Sequence, residues 1–267
     1  MFKTGDTVVS SHWNPQFDDG AHWRARLGFI LMSTDFAAES DILSMTPNGV
    51  GCHFTRLKTD DYTTNATLSK HINSMADAAS RIQPDGKPNV ISYSCTSGSI
   101  VNGELNVMEQ IKKGAPYCQP MTLVTGILDA LRELEIKRLV VGTPYIDEIN
   151  TVEAEFLFDK GYEILNIQGL NLTTGVEMGM VTPEFWRTFA LAIDQREADA
   201  VFLSCSGIRA LEVVDDIEKA LGKPVITSNQ GQMWSCLRRA GISDKIEGFG
   251  SIFSRPGHSL LPKRGSS

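Results

Sequence analysis

From residue 26 onward the apolar positions follow two periods that take turns. Short apolar runs at 26–32, 89–91, 139–141 and 200–203 end in Ser, Thr, Gly or Pro, the pattern of strands buried on both faces of a parallel sheet. Between them, apolar residues return at helical spacing: Leu68, Ile72, Met75, Ala79 and Ile82 in one segment, Leu123, Ile127, Leu131 and Leu134 in another. This predicts strands at 26–32, 48–56, 137–145, 162–168, 198–203 and 224–228, with a further strand running from Asn89 toward Cys95. Helices are predicted at 36–42, 68–82, 105–113, 122–134, 152–160, 209–221 and 230–240, and one from Pro183 to about Arg196. The punctuation agrees: Thr182-Pro183 puts proline at a first helical position, and Gly161 stands where a helix C-cap needs a left-handed residue.

Alternating strands and helices define an α/β protein with parallel sheets flanked by helices. Because the same order recurs in both halves, two similar lobes are expected. Residues 1–120 with 231–267 would form the first, carrying an N-terminal arm, and 121–230 the second.

Composition narrows the classes. A chain of 267 residues can bury a large core without disulfides or structural metal. Its 25 basic and 32 acidic residues are dispersed and leave −7, which excludes a nucleic-acid partner. Five cysteines, odd in number and without CxxC spacing, suit free thiols in a reducing, cytoplasmic setting. The first residues lack the apolar core of a signal peptide, and no stretch approaches the ~20 apolar residues of a membrane span. His12, His22, His53, His71 and His258 show no metal-ligand spacing, so none is assigned to a metal. The irregular arm carries Trp13, Phe17 and Trp23, which predicts a homodimer or larger homo-oligomer. The tail at 261–267 loses all period and is expected to be mobile.

Two stretches repeat one another. Ser92-Tyr93-Ser94-Cys95-Thr96-Ser97-Gly98-Ser99 and Phe202-Leu203-Ser204-Cys205-Ser206-Gly207-Ile208-Arg209 each end an apolar run in a small polar turn with a cysteine at its mouth. Strand ends of this kind border the ligand crevice of open α/β sheets. If each turn opens a helix, the first amides would lower the thiol pKa. Cys52, Cys118 and Cys236 lack this context and read as structural. Ser33-Thr34-Asp35, between a strand and a helix, is a second polar turn with amide donors for an anion.

These cysteine segments, with Gly142-Thr143-Pro144-Tyr145 and the Gly222–Gln230 stretch Gly-Lys-Pro-Val-Ile-Thr-Ser-Asn-Gln, resemble the aspartate/glutamate/hydantoin racemase superfamily over about residues 26–255. The chain is most similar to the branch of maleate cis-trans isomerases, arylmalonate decarboxylases and racemase-like proteins of ectoine breakdown. The resemblance implies two pseudo-symmetric lobes and no cofactor. It implies Cys95 and Cys205 as the catalytic pair, Tyr145 as a donor to a substrate carboxylate, and Thr96, Ser97, Ser206 and Gly207 as further carboxylate contacts. Decarboxylases of this branch keep only the second cysteine, so Cys95 argues against that reaction.

Two departures bear on substrate. Maleate isomerases carry Ser-Ser-Asn where this chain has Ser33-Thr34-Asp35, and an Asn near the turn where Thr174 or Gly175 stands here. An aspartate favours an amino group over a second carboxylate, unless Asp35 is only a helix cap turned from the cleft. The expected function is a cofactor-independent two-cysteine racemase or isomerase of a small carboxylate: an amino acid, an acylated diamino acid or a maleate-like acid. One thiolate would remove the proton next to the carboxylate while a thiol returns one to the opposite face. The alternatives are cis-trans isomerisation through covalent Cys95 addition, arylmalonate-type decarboxylation, and a non-catalytic protein closing on a metabolite.

Overall fold

The computed structural model describes residues 3–5, 7–255 and 260; the expected mobile tail at 261–267 lies outside the described residues. Among the described residues eight strands form two four-stranded parallel sheets. The first contains β1 (Ala25–Met32), β2 (Val50–Leu57), β3 (Val90–Tyr93) and β4 (Gln119–Thr122), ordered β2-β1-β3-β4. The second contains β5 (Arg138–Thr143), β6 (Glu163–Gly169), β7 (Ala200–Leu203) and β8 (Val225–Thr227), ordered β6-β5-β7-β8. The repeat seen in the sequence is therefore a repeat of topology. In each sheet the chain leaves its first strand to one side and returns to the other, and the crevice of such a sheet opens where the order reverses. Those points are the carboxyl ends of β1 and β3 in one sheet and of β5 and β7 in the other.

Strand pairing continues up to the residue before each cysteine. Ser94 N–H donates to the Ile30 carbonyl at 2.9 Å, and Ser204 N–H to the Gly142 carbonyl at 2.8 Å. Both turns thus leave the sheet at equivalent heights. Each sheet is covered on both faces, as its continuous apolar strands require. Along β1, Leu27, Phe29 and Leu31 join the layer between the sheets, while Ile30 and Met32 face the outer helices.

That middle layer is organised by two helices of equivalent origin. Leu123–Glu133 follows β4 and Ser228–Arg239 follows β8, and each opens with a capping box, Thr122 with Thr125 and Thr227 with Gln230. Their backbones meet where Gly126 and Gly231 lack side chains. A Cβ on Gly126 would lie 2.7 Å from both Gln232 Cα and the Gly231 carbonyl oxygen, atoms that cannot swing aside.

Several element boundaries differ from the sequence pattern. The segment expected as one helix at 68–82 is Asn65–Leu68, a 3₁₀ stretch Ser69–Ser74 and Met75–Ser80. Strand β4 was not expected, only Thr122 being placed, at the start of the 122–134 helix, and the expected lobe boundary at 120 falls inside the strand. Three short helices, Thr96–Asn102, Gly175–Met180 and Gly250–Ser254, carried no readable apolar period. Residues 7–24 contain no helix or strand, and Trp13, Phe17 and Trp23 on this arm are exposed. No helix among the described residues is long and apolar enough to cross a membrane.

The helix crossing yields a prediction. Gly126→Ala forces the two backbones apart and should lower unfolding free energy by about 1–3 kcal/mol, read as a lower denaturant midpoint at unchanged slope.

Candidate active site

Cys95 and Cys205 open into one cleft of about 560 Å³, part of it continuous with solvent. They retain 7% and 8% of their surface, so each thiol reaches the cleft without facing bulk water. Cys95 is the N-cap of Thr96–Asn102, and its sulfur accepts the Gly98 N–H at 3.3 Å. The Ser97 hydroxyl lies 3.8 Å from the same sulfur. Cys205 is held differently. Its φ of +142° is unusual for a residue with a side chain, a conformation that costs about 1–3 kcal/mol unless its surroundings enforce it. Its sulfur accepts the Gly207 N–H at 3.3 Å, and the buried Tyr145 hydroxyl beside it favours the thiolate. No helix starts at this turn; the next helical residues are Leu211–Val213.

The expectation that helix amides would lower both thiol pKa values is corrected here. Donors do favour each thiolate, but burial outweighs them, raising Cys95 and pushing Cys205 up to about 12. The Asp35 charge opposes ionisation of both.

Asp35 joins the two readings made of it. Its Oδ1 accepts the Ala37 and Ala38 N–H groups at 3.0 and 2.8 Å, as a cap would, yet the residue lines the cleft and its Oδ2 accepts the Ser206 hydroxyl at 2.8 Å. Burial raises its own pKa. Thr34, Ser97, Tyr145, Ser206 and Gly207 also line the cleft.

Three proposed contacts lie elsewhere. Ser33 is outside the lining and pairs with the Thr59 hydroxyl at 2.7 Å. Thr174 caps Gly175–Met180 and gives its hydroxyl to Glu177, leaving Gly175 as the cleft residue at that turn. Thr96 points into the interior, where its hydroxyl meets Ser228 Oγ at 2.9 Å; Ser228 Oγ also accepts the Cys205 N–H at 2.9 Å. One hydroxyl thus ties the two cysteine turns together.

The sequence did not reveal the opposite wall. Thr59, Asp60, Tyr62 and Thr63 come from an aperiodic loop after β2. That loop reaches the second lobe through the Thr63 N–H, which donates to the Thr173 carbonyl at 2.8 Å, and through a bridge between Tyr62 and Thr174. Leu68, His71 and Met178 complete the wall. His71 had been considered only as a metal ligand; its buried contact with Tyr93 is a long-range pairing. Among the described residues no group of three or more His, Cys, Asp or Glu is placed to hold a metal ion.

Two sheets of one order, each delivering a cysteine into a shared cleft, define the Asp/Glu racemase-like fold. The sequence profile described as arylmalonate decarboxylase matches residues 51–253. The arylmalonate decarboxylase of Bordetella bronchiseptica is 32% identical over 193 residues, 68% of this chain and 78% of that protein. The maleate isomerase Iso of Pseudomonas putida S16, solved as a variant with maleate, superposes with a TM-score of 0.81 at 18% identity, covering 86% of this chain and 97% of that one. A variant of the Nocardia farcinica maleate cis-trans isomerase with a covalently bound succinylcysteine intermediate gives 0.77 at 22% identity, covering 86% and 98%. The chain belongs to the arylmalonate decarboxylase family and is an enzyme.

Because the Asp35 charge raises both thiols, Asp35→Asn should move the thiolate titration of Cys95 and Cys205 to lower pH. Ultraviolet thiolate absorbance across pH measures this; an unmoved or upward-shifted curve contradicts the assignment.

Proposed function

We propose that this enzyme is a cofactor-independent isomerase that inverts the carbon next to the carboxylate of a small, amino-bearing acid, with Cys95 and Cys205 as paired base and acid. The observation that carries this reading is the arrival of two thiols in one cleft from equivalent strand ends of two sheets. Removing a proton next to a carboxylate produces a dianionic enediolate, which needs donors already in position. The hydroxyls of Thr34, Ser97 and Tyr145 line the cleft for that purpose. Inversion also needs a proton acceptor on one face and a donor on the other. Decarboxylation needs only one proton donor, so a second thiol in the cleft supports inversion.

The amino group is inferred from charge. Asp35 and Asp60 line the cleft, and among the described residues no Arg or Lys does. Such a lining favours a substrate bearing a cation beside its carboxylate over a dianion. A second reading is cis-trans isomerisation with Cys95 adding to a double bond, favoured by the succinylcysteine captured in the Nocardia relative. Five free cysteines fit a reducing, cytoplasmic setting for either chemistry.

Incubation of the enzyme in deuterium oxide with aspartate, glutamate, an acyl-diaminobutyrate, maleate and a methylmalonate-type acid tests these readings by NMR. Inversion predicts deuterium at the carbon next to the carboxylate of an amino-bearing acid. Cys95→Ala and Cys205→Ala should each slow exchange by about 10²–10⁴-fold. Turnover of maleate alone would favour the second reading. Carbon dioxide release that survives Cys95→Ala, or ligand binding with no exchange at all, would overturn both.

A further inference from the structure

The two thiols differ in what stands behind them. Tyr93, the last residue of β3, is completely buried, and its hydroxyl lies 2.6 Å from His71 Nδ1 and 3.9 Å from Met32 Sδ. The same hydroxyl stands beside the Cys95 sulfur and favours its thiolate. An added Cβ on Gly98 would sit 2.2 Å from the Tyr93 oxygen and 3.0 Å from the Cys95 sulfur, so both atoms press on one point of the helix turn. His71 lies in the 3₁₀ stretch Ser69–Ser74, buried and at the cleft wall. In the duplicated motif the residue matching Tyr93 is Leu203, which carries no proton. The strand residue behind Cys205 therefore offers no hydroxyl to it.

We propose that Tyr93 and His71 form a proton relay to Cys95, making Cys95 the thiolate-forming member of the pair while Cys205 remains a thiol. The Cys95 S–H bond breaks as Tyr93 Oη takes that proton. Tyr93 in turn passes its own hydroxyl proton to the His71 Nδ1 lone pair. A thiolate and an imidazolium result, the tyrosine is unchanged, and no other reactant is consumed. His71 must start as the neutral tautomer with its proton on Nε2.

The surrounding charges are compatible with this transfer. Burial lowers the His71 pKa, which keeps the imidazole neutral and able to accept. Asp60, itself paired with Lys70 at 3.0 Å, acts in the other direction and stabilises the imidazolium once formed. On the cleft side the Asp35 charge opposes the Cys95 thiolate, so the relay works against both that charge and burial. Tyr93 and His71 act through Cys95 and are positioning residues. The catalytic meaning of the relay rests on the two-thiol reading above, whereas the ionisation of Cys95 does not.

Peptide-resolved alkylation separates the two. The full chain is treated with iodoacetamide over a range of pH without substrate, and modification of the Cys95 and Cys205 peptides is timed by mass spectrometry. Cys95 should react first at neutral pH. Gln at position 71 can still accept the Tyr93 hydrogen bond but cannot take up a proton, so His71→Gln should slow Cys95 by about tenfold or more at neutral pH. Cys205 should be little changed. Tyr93→Phe should have the same effect by breaking the route, and free imidazole should restore Cys95 reactivity in His71→Ala. Cys205 reacting first in the unaltered protein, or a Cys95 profile that stays in place in His71→Gln, would overturn the relay whatever the substrate proves to be.

Discussion

Two sheets can share an active site only if something fixes the distance between them, and here it is a backbone contact. Gly126 of Leu123–Glu133 lies against Gly231 and Gln232 of Ser228–Arg239 so closely that a methyl group on Gly126 would collide. Side chains at such a crossing could change rotamer and let the lobes drift; main chain cannot. The helices are the closing elements of the two repeats, so the contact joins lobe to lobe directly. Everything in the cleft is positioned relative to it.

The first five residues of Ser228–Arg239 convert that fixed crossing into a fixed site. Ser228 joins Thr96, beside Cys95, to the Cys205 amide. Asn229 donates to the Ser206 carbonyl at 2.8 Å and to Asp41 at 2.7 Å. Gln232 donates to the Ser92 and Ser94 hydroxyls at 2.6 and 2.8 Å, steadying the strand that ends at Cys95. Each such bond contributes about 0.5–1.5 kcal/mol net, enough together to hold Cys205 in its strained conformation. The strain has a structural result: with φ at +142° the sulfur takes the Gly207 amide while standing beside Tyr145.

The sequence was most readable where one local period decides the structure. Seven of the eight strands and the helices with long apolar stripes stand close to their expected places, because burial on a sheet face leaves a pattern within a few residues. The paired cysteine turns were legible for another reason: duplication makes a weak local signal recur. What escaped was set at long range. Strand β4, Gln-Pro-Met-Thr, has little strand character and exists because β3 offers it an edge. The helix Thr96–Asn102, rich in Ser, Gly and Thr, is stabilised by its packing and by the cap on Cys95. The wall from Thr59 to His71 has no period and is defined by the lobe that it meets. Thr96 shows the limit on the chemistry side: it has the type and place of a substrate contact, and only Ser228, far along the chain, reveals that its hydroxyl is already engaged.

Duplication alone would produce a site with two equal thiols, and equal thiols make a poor acid and base pair, because each ionises as readily as the other. The structure departs from symmetry at the residues next to the sulfurs. Cys95 caps a helix turn and backs onto a tyrosine hydroxyl that contacts His71; Cys205 sits in a strained turn with no helix, under Tyr145. Burial raises both pKa values, so neither charge is maintained in the empty cleft at neutral pH without help. The relay proposed for Cys95 would let that thiol ionise without its proton leaving for solvent. In this arrangement the fold brings two sulfurs into one cleft, and the local departures from the repeat make their surroundings unequal.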